Sequence, residues 1–389
     1  MKIIGLLNQS AAYENLIYLL NDFSKVTKKM NRLDWDIEIV WPYSESPLRD
    51  KFDNLVMKIS QEKFSVTIRK LMSETEEDLW MKENMNSIII PQTPYLSSSF
   101  NIKIAGFLRE ANNVLYYNYG VLLWNDYISR NGIEFFEQFK LILTSFEDEA
   151  TMFQNAGITK DKIYNIGNAF IDEIEKQRDK KKQLFPVTQN RIIWAPHWSM
   201  EWGSLHISSK ILLEYFQSNR LMNLTIRPHP LLTALTNRTS LEVNREIVPD
   251  LQGAKYLTNL LKLPNVNISQ NPLLSDIEQH SALITDGISI VVYWAMTKKP
   301  QLFIHDASSP SLSPIFSSVI AKHDSIYVES KSQPALATSI PDFINEHGNG
   351  WNKVKDMTKE LFNSKRSSGE KLMEVLDSVY VLKQLPLNE

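Results

Sequence analysis

Arg191-Ile-Ile-Trp-Ala-Pro-His197-Trp-Ser199, Leu224-Thr-Ile-Arg227-Pro-His229-Pro230 and Ala282-Leu-Ile-Thr-Asp286-Gly287-Ile-Ser289 are short apolar runs that each end on polar residues able to hold an anion. Short apolar runs bounded by Pro or Gly read as buried strands. In an open α/β sheet, ligands sit beyond the carboxyl ends of the strands. The three polar ends are therefore expected to share one crevice, the binding site of an anionic, nucleotide-linked donor.

Working outward, further strands are expected near residues 265–269, 301–304 and 325–328, with helices between them. The first half follows the same rhythm. Met1 to Leu7, Asp36 to Trp41, Ser87 to Pro91, Val114 to Tyr119, Lys140 to Ser145 and Lys162 to Gly167 read as strands, Ala11 to Met30 as a helix, and Asp50 to Glu83 as charged helix. Strands alternating with helices over such lengths predict an α/β protein with doubly wound parallel sheets. The charge cluster and proline between Ile174 and Gln189 break the rhythm and suggest a boundary. The expected division is an acceptor-binding domain over 1–178, a donor-binding domain over 190–345, and helices over 346–389 that could pack back on the first domain.

Composition narrows the function. With 42 Lys+Arg against 45 Asp+Glu and a net charge of -3, the chain has no global basic field, so nucleic acid is not an expected partner. Zero cysteines remove disulfides, thiolate catalysis and Cys-ligated zinc. The apolar opening Met1-Lys-Ile-Ile-Gly-Leu-Leu is too short for a signal segment, and no stretch is apolar enough to span a bilayer. A cytoplasmic protein is expected, and peripheral contact at the inner face of the membrane stays open. Only 12 glycines occur and no G-x-G-x-x-G or Walker pattern is present, so a glycine-rich phosphate loop is not the device used.

The strand ends carry the chemistry. Arg227 offers a planar fork for a phosphate, and prolines on both sides of His229 fix its backbone. The alternative is that Arg227 pairs with a nearby carboxylate and His229 caps a turn. Gly287 would allow close backbone approach, while Ser289 and the first helical amides would face an anion at the positive end of a helix. Asp286 would suit a ribose hydroxyl or base edge, or else Asp286 or Ser289 is an N-cap. Asp276 reads as the cap of a shorter helix. His197, in a loop with Trp194, Trp198 and Trp202, is either a catalytic imidazole or a buried, hydrogen-bonded one. On the first half, Gln92, Thr93, Tyr95 and Tyr119 are acceptor-site candidates, and a base there would have to be a carboxylate such as Glu110, Asp126 or Glu147, or a histidine from the other half. No metal site is expected, because the seven histidines show no H-x-x-x-H or H-E-x-x-H spacing.

The order Ala195-Pro-His197-Trp-Ser199, Arg227-Pro-His229-Pro230, then Ser275-Asp276 and Ile284-Thr-Asp286-Gly-Ile-Ser289 with Lys299-Pro300 beyond, resembles the CDP-glycerol glycerophosphotransferase family of teichoic acid and capsule enzymes. Leu143-Thr-Ser145 and Lys162-Ile-Tyr-Asn-Ile-Gly167 to Asp172 are similar to its first half, so the likeness runs from Ser87 to Asp306. The resemblance implies a GT-B fold, two Rossmann-like domains with parallel sheets facing across a cleft. It also implies a metal-independent transferase with no resident cofactor, whose nucleotide-activated donor, cytidine-linked by preference, is a substrate. Arg227 and His229 would then meet the donor pyrophosphate, Asp286, Gly287 and Ser289 would complete the donor wall, and His197 with His229 and Arg227 would serve catalysis. The acceptor would be a polysaccharide or lipid-linked glycan. The family's H-G-T, which holds its proposed base, is represented here by Pro91-Gln92-Thr93, so this chain's base lies elsewhere or the transferred group differs. A UDP-sugar glycosyltransferase or epimerase on the same fold, and a non-catalytic protein that binds an anionic sugar, are the alternatives.

Overall fold

The structure, a computed structural model, describes residues 1–7, 14–32, 34–43, 66–92, 102–118, 120–121, 127–180, 190–197, 203–228, 251–269, 271–309, 311–314, 316–317, 320, 325–347 and 365–381. The chain forms two compact units, Met1–Glu173 with Glu360–Glu389, and Ile174–Lys359.

The first unit is built on seven parallel strands: β1 Lys2–Leu6, β2 Asp36–Trp41, β3 Thr67–Lys70, β4 Ile88–Pro91, β5 Asn113–Tyr117, β6 Leu141–Thr144 and β7 Ile163–Asn165, in the order β3-β2-β1-β4-β5-β6-β7. β4 and β6 are buried at every position, as unbroken apolar runs in a sheet covered on both faces should be. β3 corrects the reading of 50–83 as helix. It is an edge strand with no fully buried residue, registered Ile39↔Ile68 on β2, and its Arg69 pairs with Glu76 of the helix Glu74–Glu83 at 3.1 Å. Residues 50–65 of that segment lie outside the described residues.

The end of the chain belongs to this unit. Helix Ser368–Leu376 starts with a capping box between Ser367 and Glu370 and lies against helix Glu14–Lys29. Gly369 makes the approach possible, because a Cβ there would stand 2.6 Å from the Phe23 backbone nitrogen. The Gly369 N–H donates to Asp22 Oδ2 at 3.0 Å, and Arg32 pairs with Asp377 at 2.8 Å.

The second unit carries six parallel strands, β8 Arg191–Ala195, β9 Asn223–Ile226, β10 Val266–Ile268, β11 Ala282–Thr285, β12 Gln301–Ile304 and β13 Ile326–Glu329, in the order β10-β9-β8-β11-β12-β13. Its core joins Trp194, Leu224, Ile284 and Leu302 of the sheet to Phe216 and Leu212 of helix Leu205–Ser218 and to Ile340 of helix Gln333–His347. Both units are thus Rossmann-like parallel-sheet domains. The strand order reverses direction between β1 and β4 in the first and between β8 and β11 in the second, so the carboxyl ends of those pairs are the places where such sheets receive ligands.

Candidate functional site

At the reversal point of the second sheet, side chains tie the ends of β8 and β11 together. Thr285, the last residue of β11, donates its hydroxyl to the Ala195 carbonyl of β8 at 2.7 Å and accepts the Gly287 N–H at 3.0 Å. Asp286 follows. One carboxylate oxygen accepts the His197 N–H at 2.5 Å, and the other accepts the Ser204 N–H at 2.6 Å and the Ser204 hydroxyl at 3.0 Å. Charge-assisted bonds of this kind are the strong ones, and here they tie His197 and Ser204 to the end of β11. Asp286 thus has protein donors on both carboxylate oxygens, and one expectation is corrected: it is not the N-cap of the helix that follows it. The N-cap of helix Ile288–Ala295 is Gly287, with no side-chain cap bond, and Ser289 sits half-buried in the first helical turn. Gly287 has a φ of -96° and room for a Cβ, so neither strain nor crowding within the fold demands glycine there.

Arg227 leaves the end of β9, where its N–H extends the ladder to the Trp194 carbonyl at 2.8 Å. Its Nη1 donates to Asp276 Oδ2 at 2.7 Å and to the Asn271 carbonyl at 2.8 Å, so the pairing with a nearby carboxylate is present. Asp276 is fully buried in helix Leu273–Gln279 and also accepts the Ser269 hydroxyl at 2.5 Å. Its expected role as a cap is corrected, since the N-cap is Pro272; the acid is the seat of the guanidinium instead. Arg227 keeps 22% of its side chain exposed at the sheet edge. His229, expected beside it, lies outside the described residues, as do Trp198 and Trp202.

Beneath Arg227, the buried His280 bridges the Asp276 carbonyl and the Thr225 hydroxyl, each at 2.7 Å. The carbonyl can only accept, so Nδ1 carries the proton and Nε2 accepts from the threonine. Burial lowers the pKa of His280 below 6.5, against the pull of Asp276. Burial does the same to His197, which Asp286 raises and Lys331 lowers further. Both are neutral imidazoles near pH 7. The unfolded chain takes up protons at about pH 6.5 that the native state refuses, so the stability tied to these residues is complete above that pH and is lost as pH falls through it. A melting temperature that declines between about pH 7.5 and 5.5, above the range where carboxylates titrate, with a flatter slope in H280Q, is the expected result.

Three groups at this edge carried no sequence signal: Ser204, Asp306 and Lys331. Ser204 lies 82 residues from the acid that it serves. Lys331 sits in an ordinary polar turn, and only its place just beyond the last strand could have marked it.

The first unit's reversal point is lined with amides. Gln92 follows β4, is buried to 1% exposure and donates its N–H to the Leu6 carbonyl of β1 at 2.8 Å. Asn118 follows β5, its carbonyl accepting from Asn15 Nδ2 at 3.1 Å, and Asn15 Oδ1 accepts the Tyr117 hydroxyl at 3.0 Å. Thr93, Tyr95, Tyr119 and Asp126 lie outside the described residues, while Glu110 and Glu147 are exposed. Among the described residues no group of three His, Asp or Glu could hold a metal ion, and no helix is long and apolar enough to cross a membrane.

The site thus joins His197 to Asp286 directly and sets Arg227 one strand away, at the end of the β9 that pairs with β8. No protein-family model matches the chain, and no curated protein does. Solved structures do. The UDP-GlcNAc 2-epimerase of Methanocaldococcus jannaschii, in complex with UDP-GlcNAc and UDP, superposes with a TM-score of 0.59 at 11% identity, over 97% of this chain and 100% of that one. That of Neisseria meningitidis, bound to UDP-GlcNAc, gives 0.52 at 13% identity, over 97% and 100%. The wall teichoic acid polymerase TagF, soaked with CDPG, gives 0.55 at 13% identity, over 97% of this chain and 89% of that one. What the chain shares with these enzymes is the fold, two Rossmann-like parallel-sheet domains of the GT-B class.

Proposed function

We propose that this protein is a GT-B transferase that moves a glycosyl or glycerophosphoryl group from a nucleotide-activated donor, cytidine-linked by preference, to a hydroxyl of a cell-surface polysaccharide or lipid-linked glycan. One observation carries the reading: at the reversal point of the second sheet both acids, Asp286 and Asp276, are engaged by protein donors, and the edge presents a partly exposed guanidinium. Such an edge suits a diphosphate. In the transfer, the acceptor oxygen bonds to the moving group while the bond to the nucleotide phosphate breaks. The electron pair leaves on that phosphate, and Arg227 is placed to meet the charge. The acceptor's proton passes to a base that the described residues do not identify. TagF, solved with CDPG, supports a cytidine donor.

The solved epimerases that carry UDP or UDP-GlcNAc favour a second reading, a UDP-sugar epimerase. Either reaction needs a base that the described residues do not identify, so nucleotide preference and product separate the two readings. A melting-temperature panel with CMP, CDP, UDP and GDP tests the preference. A nucleotide that binds only the native state adds about 2.7 kcal/mol at a hundredfold excess over Kd, on the order of 5 °C for a domain of this size. A shift selective for cytidine nucleotides, with CMP or CDP released in the presence of acceptor, is the expected result. A shift selective for UDP with sugar interconverted and no nucleotide freed selects the epimerase, and no shift with any nucleotide overturns both.

A further inference from the structure

Two residues that end neighbouring strands stand side by side: Ile226 of β9 is in register with Ile268 of β10, and Arg227 and Ser269 follow them. The Ser269 N–H donates to the Ile226 carbonyl at 2.8 Å, which ties the end of β10 to the residue before the arginine. Ser269 thus borders the seat of the guanidinium, and its hydroxyl serves that seat twice. It donates to Asp276 Oδ2 at 2.5 Å and accepts the Asn271 N–H at 3.3 Å. Arg227 Nη1 binds the same two residues, through Asp276 Oδ2 at 2.7 Å and the Asn271 carbonyl at 2.8 Å. One hydroxyl therefore holds both of these acceptors, an arrangement open only to a group that donates and accepts at once.

The carboxylate shows why the hydroxyl matters. Asp276 is fully buried, and its Oδ1 has no hydrogen-bond partner among the described residues, so the Arg227 and Ser269 donors both fall on Oδ2. With both bonds made, the carboxylate is fixed in its plane. With only the arginine left, it can turn about its own bond, and the guanidinium turns with it. The pairing survives, but its direction is no longer set. The Asn271 carbonyl lies in a turn that the same hydroxyl closes, since serine oxygens that bond the backbone two residues on shape such turns. Loss of the hydroxyl loosens both supports of Arg227 together. A residue needed only to end β10 would not require an oxygen here, because its backbone N–H alone completes that ladder.

We propose that Ser269 is a positioning residue that sets the direction of Arg227 for the donor phosphate by fixing Asp276 and Asn271. This rests on the reading that Arg227 meets a phosphate of the nucleotide. Calorimetric titration of CDP, UDP and inorganic pyrophosphate into the wild type, S269A, S269C and S269T tests it. S269A, and S269C with its weak S–H donor, should lose about fivefold in affinity, the worth of one hydrogen bond, while S269T, which keeps the hydroxyl, stays close to wild type. The NMR signals of the Arg227 guanidinium protons should shift and exchange faster with water in S269A and S269C, and hold their place in S269T. In the R227A/D276A background, S269A should bring no further loss of affinity, a dependence on the arginine that a merely structural serine would not show. S269C keeps the size of the side chain and decides the outcome if S269A fails to fold. Folded S269A or S269C that binds all three probes as the wild type does, with the Arg227 signals unmoved, overturns the inference and leaves the functional reading standing. A loss of about fivefold that persists in the R227A/D276A background overturns it too, because Ser269 would then act without the arginine. A wild type that binds none of the three probes overturns the functional reading, and the inference with it.

Discussion

Replacing Asp286 by asparagine is expected to lower the melting temperature by on the order of 5–10 °C, an effect far larger than the isosteric change suggests. Both carboxylate oxygens accept from N–H groups: His197 on one, Ser204 with its hydroxyl on the other. An asparagine side chain has one acceptor oxygen and one NH2. Whichever way it is turned, the NH2 faces a backbone N–H that can only donate, and a backbone donor loses its partner. The Ser204 hydroxyl can reorient, since it also receives a bond from Ser208 at 3.0 Å, but the Ser204 and His197 amides cannot. An unsatisfied donor in a partly buried place costs about 1–3 kcal/mol, and the charge-assisted character of the lost bond puts the estimate in the upper part of that range. His197 and Ser204 then lose their clasp on the end of β11. Nucleotide affinity should fall with stability, and D286E should fail likewise, because an extra methylene moves both oxygens off their donors. The check is calorimetric melting of D286N beside the wild type. A melting temperature unchanged within about 1 °C, the range of an inconsequential surface change, would show that other groups hold His197 and Ser204.

The legible part of this molecule was the part that parallel sheets write locally. Ile88-Ile-Ile, Leu141-Ile-Leu and Ala282-Leu-Ile are apolar at successive positions because both faces of the sheet are covered, and a run of that kind ending in Pro, Ser or Asp announces a strand and its carboxyl end. β3 escaped because an edge strand need bury little: Thr67-Ile-Arg-Lys has no covered face to leave a pattern, and the acids of the following helix lent the whole segment a helical look. At the site, the sequence marked Arg227, Asp286 and His197 as strand-end residues but not what they face. Asp276 is 49 residues from Arg227, and Asp286 is 82 from Ser204. An acid near the start of a helix favours the amides there, which makes a cap the local reading of Asp276 and the alternative one of Asp286. Contacts between distant strand ends are fixed by sheet order, which alternation alone does not specify.

Arg227→Ala should cost both stability and nucleotide binding, and the two losses can be separated because they depend differently on Asp276. Removing the guanidinium strands a carboxylate with no exposed surface, left with the Ser269 hydroxyl as its remaining side-chain donor. Breaking a buried pair from one side costs about 3–5 kcal/mol; the arginine here is 22% exposed, which lowers the estimate to roughly 2–3 kcal/mol. Asp276→Ala should cost less, since Arg227 can turn toward water and keeps the Asn271 carbonyl as a partner. In the double variant no charge is stranded, so its stability loss should be smaller than the sum of the two single losses by about 1 kcal/mol or more, a coupling that denaturant melts resolve. Binding should follow another rule. If Arg227 grips phosphate, affinity for the nucleotide falls about a hundredfold in both R227A and the double variant, about 2.7 kcal/mol each, and the recovery of stability brings none of it back. Lysine at 227 should recover part of the affinity at most, because a point charge cannot copy the planar fork. Full affinity in the double variant would make Arg227 a strut for its helix and remove it from the site, while affinity that is lost as stability returns assigns the guanidinium to the ligand.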